Sequence, residues 1–117
     1  MISYEDVLDA QDRVAGVARH TPLEYSFAFS EMTGADVYLK LENFQRTGAF
    51  KIRGAINRIE TLSDEAKAAG VVTASAGNHA QGVALAATRA GVDSKIVMPE
   101  HARSEEHTSE LQSLSHI

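Results

Sequence analysis

Thr47-Gly48-Ala49-Phe50-Lys51-Ile52-Arg53-Gly54 is the stretch that decides how this chain is interpreted. A single lysine, Lys51, follows a glycine turn and stands where a helical pattern begins. A lysine amine held at a fixed point beside a pocket can act as a nucleophile towards carbonyl groups. The apolar residues of this pattern predict a helix that docks on a sheet: Ile52, Ile56, Ile59 and Leu62. From these residues alone, a solvated lysine at an ordinary loop-to-helix junction stays open as an alternative.

A second loop, Ser75-Ala76-Gly77-Asn78-His79-Ala80-Gln81-Gly82, directly follows the short apolar run 71–74. Such a run is typical of a strand buried in a parallel sheet. Backbone N–H groups at a helix start, the hydroxyl of Ser75 and the amide of Asn78 would suit a carboxylate and a phenolic oxygen. An ordinary glycine turn, with Asn78 or Ser75 as helix cap, explains the same residue types equally well.

The order of the predicted elements indicates an α/β fold with an open parallel sheet. They are helix 4–18, a short helix 26–33 that ends at Gly34, strand 36–42, the helix from Phe50, helix 63–69, strand 71–74, helix 79–90 and strand 94–98. In such sheets ligands bind beyond the carboxyl ends of the strands. We therefore expect the Lys51 loop and the Ser75–His79 loop to face one pocket.

The composition of the 117 residues is that of an ordinary globular protein, with 44% hydrophobic and 23% charged residues. The net charge of −5 and the lack of a basic run predict no nucleic-acid or membrane partner. Without cysteine there is no disulfide or thiolate metal site, and His20 is predicted to be structural rather than a metal ligand. The acidic N-terminus and the absence of a long apolar run predict a soluble, cytoplasmic protein.

The run from Lys40 to Ala55, followed by the loop 75–82, resembles the N-terminal part of the pyridoxal-phosphate (PLP) threonine dehydratases, or threonine ammonia-lyases. The resemblance covers nearly all of residues 1–102 and implies a partial fold type II PLP-dependent enzyme, similar to the tryptophan synthase β subunit. It also implies a homo-oligomeric parent that deaminates L-threonine, and L-serine, to a 2-oxo acid and ammonia, in isoleucine biosynthesis or threonine catabolism.

The same resemblance implies a role for each residue that matches a family motif. Lys51 would bind PLP as a Schiff base and then act as the base at the α-carbon of the substrate. Phe50 would pack near the pyridine ring, and Asn78 would donate a hydrogen bond to the 3′ oxygen of the cofactor. The residues implied to hold the substrate carboxylate are Ser75, Gly77, Asn78 and His79.

Departures from related families help to choose among reactions. Serine racemases similar to this group carry a serine where this chain has Ala76, whose methyl group cannot move a proton, so elimination is favoured. Cysteine synthases have an acidic residue at the place of Arg53. A serine racemase or serine dehydratase of the same fold, and a non-catalytic α/β fragment, remain alternatives.

Three other positions of the predicted helix carry expectations. Arg53 and Arg58 are predicted to be solvated helix residues. Gly54 lies within one turn of Lys51, where a glycine often marks the close approach of a ligand or another backbone.

Residues 103–117 differ abruptly from what precedes them and resemble an in-frame translation of a sequencing adapter. A genuine short helix capped by Ser104 is the competing interpretation. We expect residues 1–102 to be an incomplete PLP-dependent fold and 103–117 to be a non-native tail without a metal site. In the family, the phosphate-binding loop and the partner of the pyridine nitrogen lie beyond residue 102, so the chain as written is expected to be inactive.

Overall fold

The computed structural model describes residues 1–100, and the predicted tail 103–117 lies outside them. The helices are α1 (Tyr4–Val14), α2 (Phe27–Thr33), α3 (Lys51–Glu60), α4 (Asp64–Ala69) and α5 (Asn78–Ala90). The strands are β1 (Leu23–Tyr25), β2 (Tyr38–Lys40), β3 (Val71–Ala74) and β4 (Ser94–Val97), and a 3₁₀ turn spans Glu42–Phe44.

Local sequence signals set the beginnings of the helices. Ser3 and Asp6 form a capping box at α1, and the side chain of Ser63 accepts a hydrogen bond at the start of α4. Helix α1 is shorter than the predicted 4–18, because Ala15 leaves the helical region with ψ of 139° and Gly16 adopts φ of +78°. The connector 15–22 therefore begins as a turn and leads to β1.

Strands β3 and β4 pair in parallel, with Val71 opposite Ser94 and Ala74 opposite Val97, and α5 connects them. This unit confirms the predicted α/β fold with a parallel sheet. Within residues 1–100 the parallel part of the sheet has two strands.

The strand predicted at 36–42 is partly wrong in extent and wrong in its partner. Only Tyr38–Lys40 is a strand, and it pairs antiparallel with β1 in a separate two-stranded sheet. Leu23 lies opposite Lys40 and Tyr25 opposite Tyr38, and the Leu41 N–H extends the pairing to the carbonyl of Pro22. An alternating pattern identifies a strand but not the strand that it joins. The lysine loop therefore does not begin at the parallel sheet.

The core lies between α3 and α5. From α3 it takes Ile52, Ala55, Ile56 and Ile59, and from α5 and the following turn Val83, Ala86, Ala87 and Val92. The predicted apolar face of α3 is thus the buried one, but it packs mainly on α5 and not on a sheet as predicted. The alanines of α5 allow the two helices to approach closely. Among residues 1–100, none of the helices has the length and apolar character that a membrane crossing requires.

Candidate active site

Lys51 is the first residue of α3, and its side chain is exposed. The turn before it is closed by the Gly48 N–H, which donates to the carbonyl of Gln45 at 2.8 Å. Gly48 has φ of +68°, in the left-handed region where any other L-residue is strained. Phe50 is the N-cap of α3, has no capping side-chain bond and is 63% exposed. The sequence thus places the lysine at a helix start on an open face of the molecule.

Arg53 is not the solvated residue that the helical pattern predicts. Its Nε donates to Oε2 of Glu42 at 2.9 Å and its Nη2 donates to Oε1 at 2.8 Å, so the pair is bidentate. The hydroxyl of Thr21 donates to the same carboxylate at 2.5 Å. Arg53, and after it Thr21, hold the pKa of Glu42 at about 2, below its usual 4.5. Glu42 in turn raises the pKa of Arg53. Arg58, in contrast, is exposed as predicted.

Gln45 ties the lysine loop to the connector 15–22. It is only 3% exposed, and its Oε1 accepts from the N–H groups of Arg19 at 2.7 Å and Arg46 at 3.1 Å. Its Nε2 donates to the carbonyl of Arg19 at 3.0 Å, and Arg53 Nη2 donates to that same oxygen at 3.1 Å. Each of these bonds satisfies a polar group that would otherwise be costly to bury.

Sequence reasoning missed the residues of this network, which we call the clasp: Thr21, Glu42, Gln45 and Arg53. Thr21 and Gln45 are buried although both are polar, which neither helical nor strand periodicity reports. The available signal was the position of Glu42 and Gln45 inside the family motif, only a few residues before the lysine.

The second loop is fixed mainly by its backbone. The Ser75 N–H donates to the carbonyl of Val97 at 3.0 Å, and the Ser75 Oγ accepts from the Gly77 N–H at 3.2 Å. Gly77 is the N-cap of α5, and none of the side chains in residues 1–100 caps this helix. The alternative in which Asn78 or Ser75 caps α5 is therefore wrong. Asn78 is the first residue of α5 and is exposed. The N–H groups of the first turn have no side-chain cap, which suits an anion.

The starts of α3 and α5 meet at Gly82. A Cβ added at Gly82 would lie 3.2 Å from the Ile52 nitrogen and 3.3 Å from the Lys51 carbonyl carbon, tighter than ordinary van der Waals contact. Gly82 is four residues after Asn78, roughly 6 Å along the helix axis. The backbone that carries Lys51 therefore lies about one helical turn from the uncapped start of α5. No backbone of the described residues 1–100 approaches Gly54, because nothing in them lies within 4 Å of a Cβ built there, and the approach of a ligand to Gly54 stays a prediction.

His79, the second residue of α5, is exposed. It lines a cavity of about 250 Å³ together with Gly54 of α3 and residues 71–73 of β3. A larger cleft of about 670 Å³, between α1 and α3, is lined by Arg53 and Gly54 among others. Lys51 lines neither of these two cavities. Within residues 1–100 no group of three or more His, Cys, Asp or Glu side chains could hold a metal ion.

An exposed lysine beside an uncapped helix start defines a class of site that can take a carbonyl compound carrying an anionic group. Comparison with known proteins agrees with this class. The family model described as "Pyridoxal-phosphate dependent enzyme" matches residues 14–114. This chain belongs to that family.

Relatives carry the comparison further. The chain is 56% identical over 102 residues to the L-threonine ammonia-lyase of Thermotoga maritima. The match covers 87% of this chain and 25% of the relative. The solved serine racemase of Dictyostelium discoideum has a TM-score of 0.82 at 37% identity, over 90% of this chain and 34% of that one. The solved threonine deaminase isoform 2 of Solanum lycopersicum has a TM-score of 0.72 at 40% identity, and the match covers 90% of this chain and 30% of that one. The chain thus spans about a quarter to a third of these proteins.

The residues present fit part of the PLP molecule. A lysine amine suits the aldehyde carbon of the cofactor, an exposed amide at Asn78 suits its phenolic oxygen, and the uncapped N–H groups of α5 suit a substrate carboxylate. Within the described part of the chain, no heavy atom lies within 4 Å of a Cβ built at Gly77, the residue that precedes α5.

Proposed function

We propose that this chain forms part of a PLP-dependent lyase that converts L-threonine, and L-serine, to a 2-oxo acid and ammonia. The observation that carries the proposal is the meeting of the Lys51 backbone with α5 at Gly82, about a turn from the uncapped start of α5. The 56% identity to an L-threonine ammonia-lyase supports the choice of substrate.

Each residue of the proposed site has a separate task. Lys51 Nζ would bind the aldehyde carbon of PLP and, once released and uncharged, would take the proton from the α-carbon of the amino acid. The backbone N–H groups of the first α5 turn, with the Ser75 hydroxyl, would bind the substrate carboxylate. Asn78 would donate to the phenolic oxygen of PLP, Phe50 would cover the pyridine ring, and Gly77 and His79 would complete the carboxylate site. When bound, PLP supplies the electron withdrawal that makes the α-proton acidic.

We further propose a cytoplasmic enzyme that acts as a homo-oligomer, in isoleucine biosynthesis or threonine catabolism. Large apolar side chains lie exposed on the described part of the chain, among them Phe27 at 82% and Met32 at 78%. Apolar surface of this kind calls for cover, either from further polypeptide or from a second subunit. The negative net charge gives nucleic acid no electrostatic support as a partner.

Serine racemisation is the second candidate, because proteins titled serine racemase are among the structural neighbours. Racemisation needs an acid-base group on each face of the substrate α-carbon. Ala76, next to Ser75 in the second loop, offers only a methyl group. We therefore expect elimination to exceed racemisation.

The test uses a complete enzyme in which residues 1–100 replace the matching first quarter of the Thermotoga maritima relative. We expect equal amounts of 2-oxobutanoate and ammonia from L-threonine, and little D-serine from L-serine. Borohydride reduction of the PLP-loaded enzyme should attach the cofactor to Lys51. Attachment to a different lysine, or D-serine as the main product, would contradict the proposal. If the hybrid does not fold, the same trapping on the 117-residue chain with added PLP decides whether Lys51 is the reactive lysine.

A further inference from the structure

We propose that the bidentate ion pair between Glu42 and Arg53 is a positioning device that fixes Lys51 Nζ for reaction. The proposal rests on the proposed function, in which Lys51 is the reactive amine. Glu42 and Arg53 themselves touch neither cofactor nor substrate in this assignment. They act on the reaction through the lysine loop.

The pair closes the loop that carries the lysine. Glu42 and Arg53 are 11 residues apart in sequence, and Lys51 lies between them, two residues before Arg53. Arg53 belongs to the first turn of α3, so the bond from its guanidinium holds the helix start directly. The side chain of Glu42 is 15% exposed and that of Arg53 is 34% exposed, so solvent screens this pair only in part.

The side chains of Phe50 and Lys51 have little packing of their own, although the Lys51 backbone lies against Gly82. Phe50 is 63% exposed, Lys51 is exposed, and no atom of the described residues 1–100 lies within 4 Å of a Cβ built at Gly48. The position of the amine must therefore come from the residues that anchor the loop on both sides. On the helix side these are Ile52, which is fully buried, and Arg53.

The two anchors constrain different movements of the helix start. Ile52 packs in the core and its nitrogen faces Gly82, which limits translation of α3 towards or away from α5. Arg53 is the next residue, about 100° further round the helix, and it binds Glu42 and the carbonyl of Arg19. Two contacts in different directions from one turn resist rotation about the helix axis, which is the movement that would swing the Lys51 side chain.

The geometry specifically requires arginine. A guanidinium binds a carboxylate through two parallel N–H bonds and so fixes orientation as well as distance, whereas an ammonium acts as a point charge. Arg53→Lys keeps the charge but cannot make the two-point contact and the bond to Arg19 together. Glu42→Gln keeps the size of the side chain but can accept through only one oxygen. Both variants should loosen the lysine with small changes to the fold.

The experiment measures which lysine reacts. The chain holds four lysines, Lys40, Lys51, Lys67 and Lys95. The 117-residue chain is treated briefly with a limiting amount of PLP, reduced with borohydride and mapped by peptide mass spectrometry. Lys67 and Lys95 are the internal references, because the Lys40 amine donates to the carbonyl of Thr21 in the clasp itself.

In the unaltered chain we expect Lys51 to carry most of the label. In Arg53→Lys and in Glu42→Gln, labelling of Lys51 should fall about tenfold relative to the two reference lysines, since small misplacements of a reacting group cost large factors. The double variant should be no worse than the more weakly labelled single variant, because both substitutions break the contact between Glu42 and Arg53. Arg58→Lys is the matched control, because Arg58 is an exposed arginine on the same helix. In this variant Lys51 should carry as much label as in the unaltered chain.

The outcomes separate the two proposals. Label on another lysine in the unaltered chain would contradict the assignment of Lys51 and hence the proposed function. Label on Lys51 that is equally strong in Arg53→Lys and Glu42→Gln would overturn the positioning role alone. A lower thermal midpoint with unchanged Lys51 labelling would show that the ion pair is only structural, and would also overturn it. In the hybrid enzyme the same variants should lower kcat about tenfold with a smaller change in KM.

Discussion

The two loops of the candidate site are built in opposite ways. The lysine loop is held by side chains. Arg53 binds Glu42, and both Gln45 and Arg53 donate to the carbonyl of Arg19 in the connector before β1. The loop 75–79 is held by backbone contacts, and its helix begins without a side-chain cap. A loop that must place one amine gains from rigid bracing, whereas a loop that must receive an anion gains from free N–H groups.

The difference also separates what each loop would tolerate. Changes in the clasp should alter the position of Lys51, while changes at the α5 start should alter binding with little effect on the fold. In the hybrid enzyme, substitutions in the two loops should therefore change different properties.

Replacing the amine itself should have the largest effect. Lys51→Ala should lower kcat for L-threonine at least about a thousandfold, because the proposed nucleophile and base is lost. The thermal midpoint should stay the same, since Lys51 is exposed. Lys95→Ala, at another exposed lysine, is the control and should keep full activity. If Lys51→Ala still converted L-threonine, Lys51 would not be the amine that the lysine loop places. The comparison between the two loops would then lose its basis.

Gly82→Ala should have the next largest effect. The added methyl group would press on the backbone of Lys51 and Ile52 at 3.2–3.3 Å, where no flexible side chain can yield. We expect kcat to fall about ten- to a hundredfold and the free energy of unfolding to fall by about 1–3 kcal/mol. Gly54→Ala is the matched control in open space, and should raise stability by up to about 1 kcal/mol without loss of activity. Equal behaviour of the two variants would refute the contact as the link between the loops.

Asn78→Ala tests whether the second loop serves binding. Its amide is exposed at the first residue of α5, so the thermal midpoint of the enzyme without PLP should not change. Loss of a hydrogen bond to a charged oxygen should weaken PLP binding about tenfold, measured by absorbance titration. Asn43→Ala, at another exposed asparagine, should leave the affinity unchanged. A fall in stability with normal affinity would assign Asn78 a structural role instead.

Acid should weaken the clasp and leave the second loop unaffected. The pKa of Glu42 is lowered from 4.5 to about 2 by Arg53, so its stabilisation is fully present above about pH 5. Between about pH 5 and pH 2 the Glu42 carboxylate takes up a proton in the unfolded state before it does in the folded state, so acid favours the unfolded state and the contribution is lost as the pH approaches about 2. The difference in unfolding free energy between the unaltered protein and Glu42→Gln should therefore shrink from pH 5 to pH 2, as urea titrations would measure. If the difference in unfolding free energy between the two proteins stayed the same from pH 5 to pH 2, that result would contradict the ion pair.

The sequence by itself determined the local structure and the chemistry. Ser3, Ser63 and Gly34 set helix ends because caps depend on neighbouring residues, and the spacing of Ile52, Ile56 and Ile59 fixed which face of α3 is buried. Lys51 at a helix start after a glycine turn followed from the same short-range rules.

Only the tertiary structure decided which residues and elements contact one another. Strand β2 pairs with β1 rather than with the parallel sheet, Arg53 binds Glu42 rather than water, and Gly82 rather than Gly54 takes the close backbone contact. Periodicity reports which side of an element is apolar, but it carries no information about the partner that covers that side or about buried polar pairs. Those contacts depend on residues far apart in sequence, and they are the contacts that would place Lys51 for reaction.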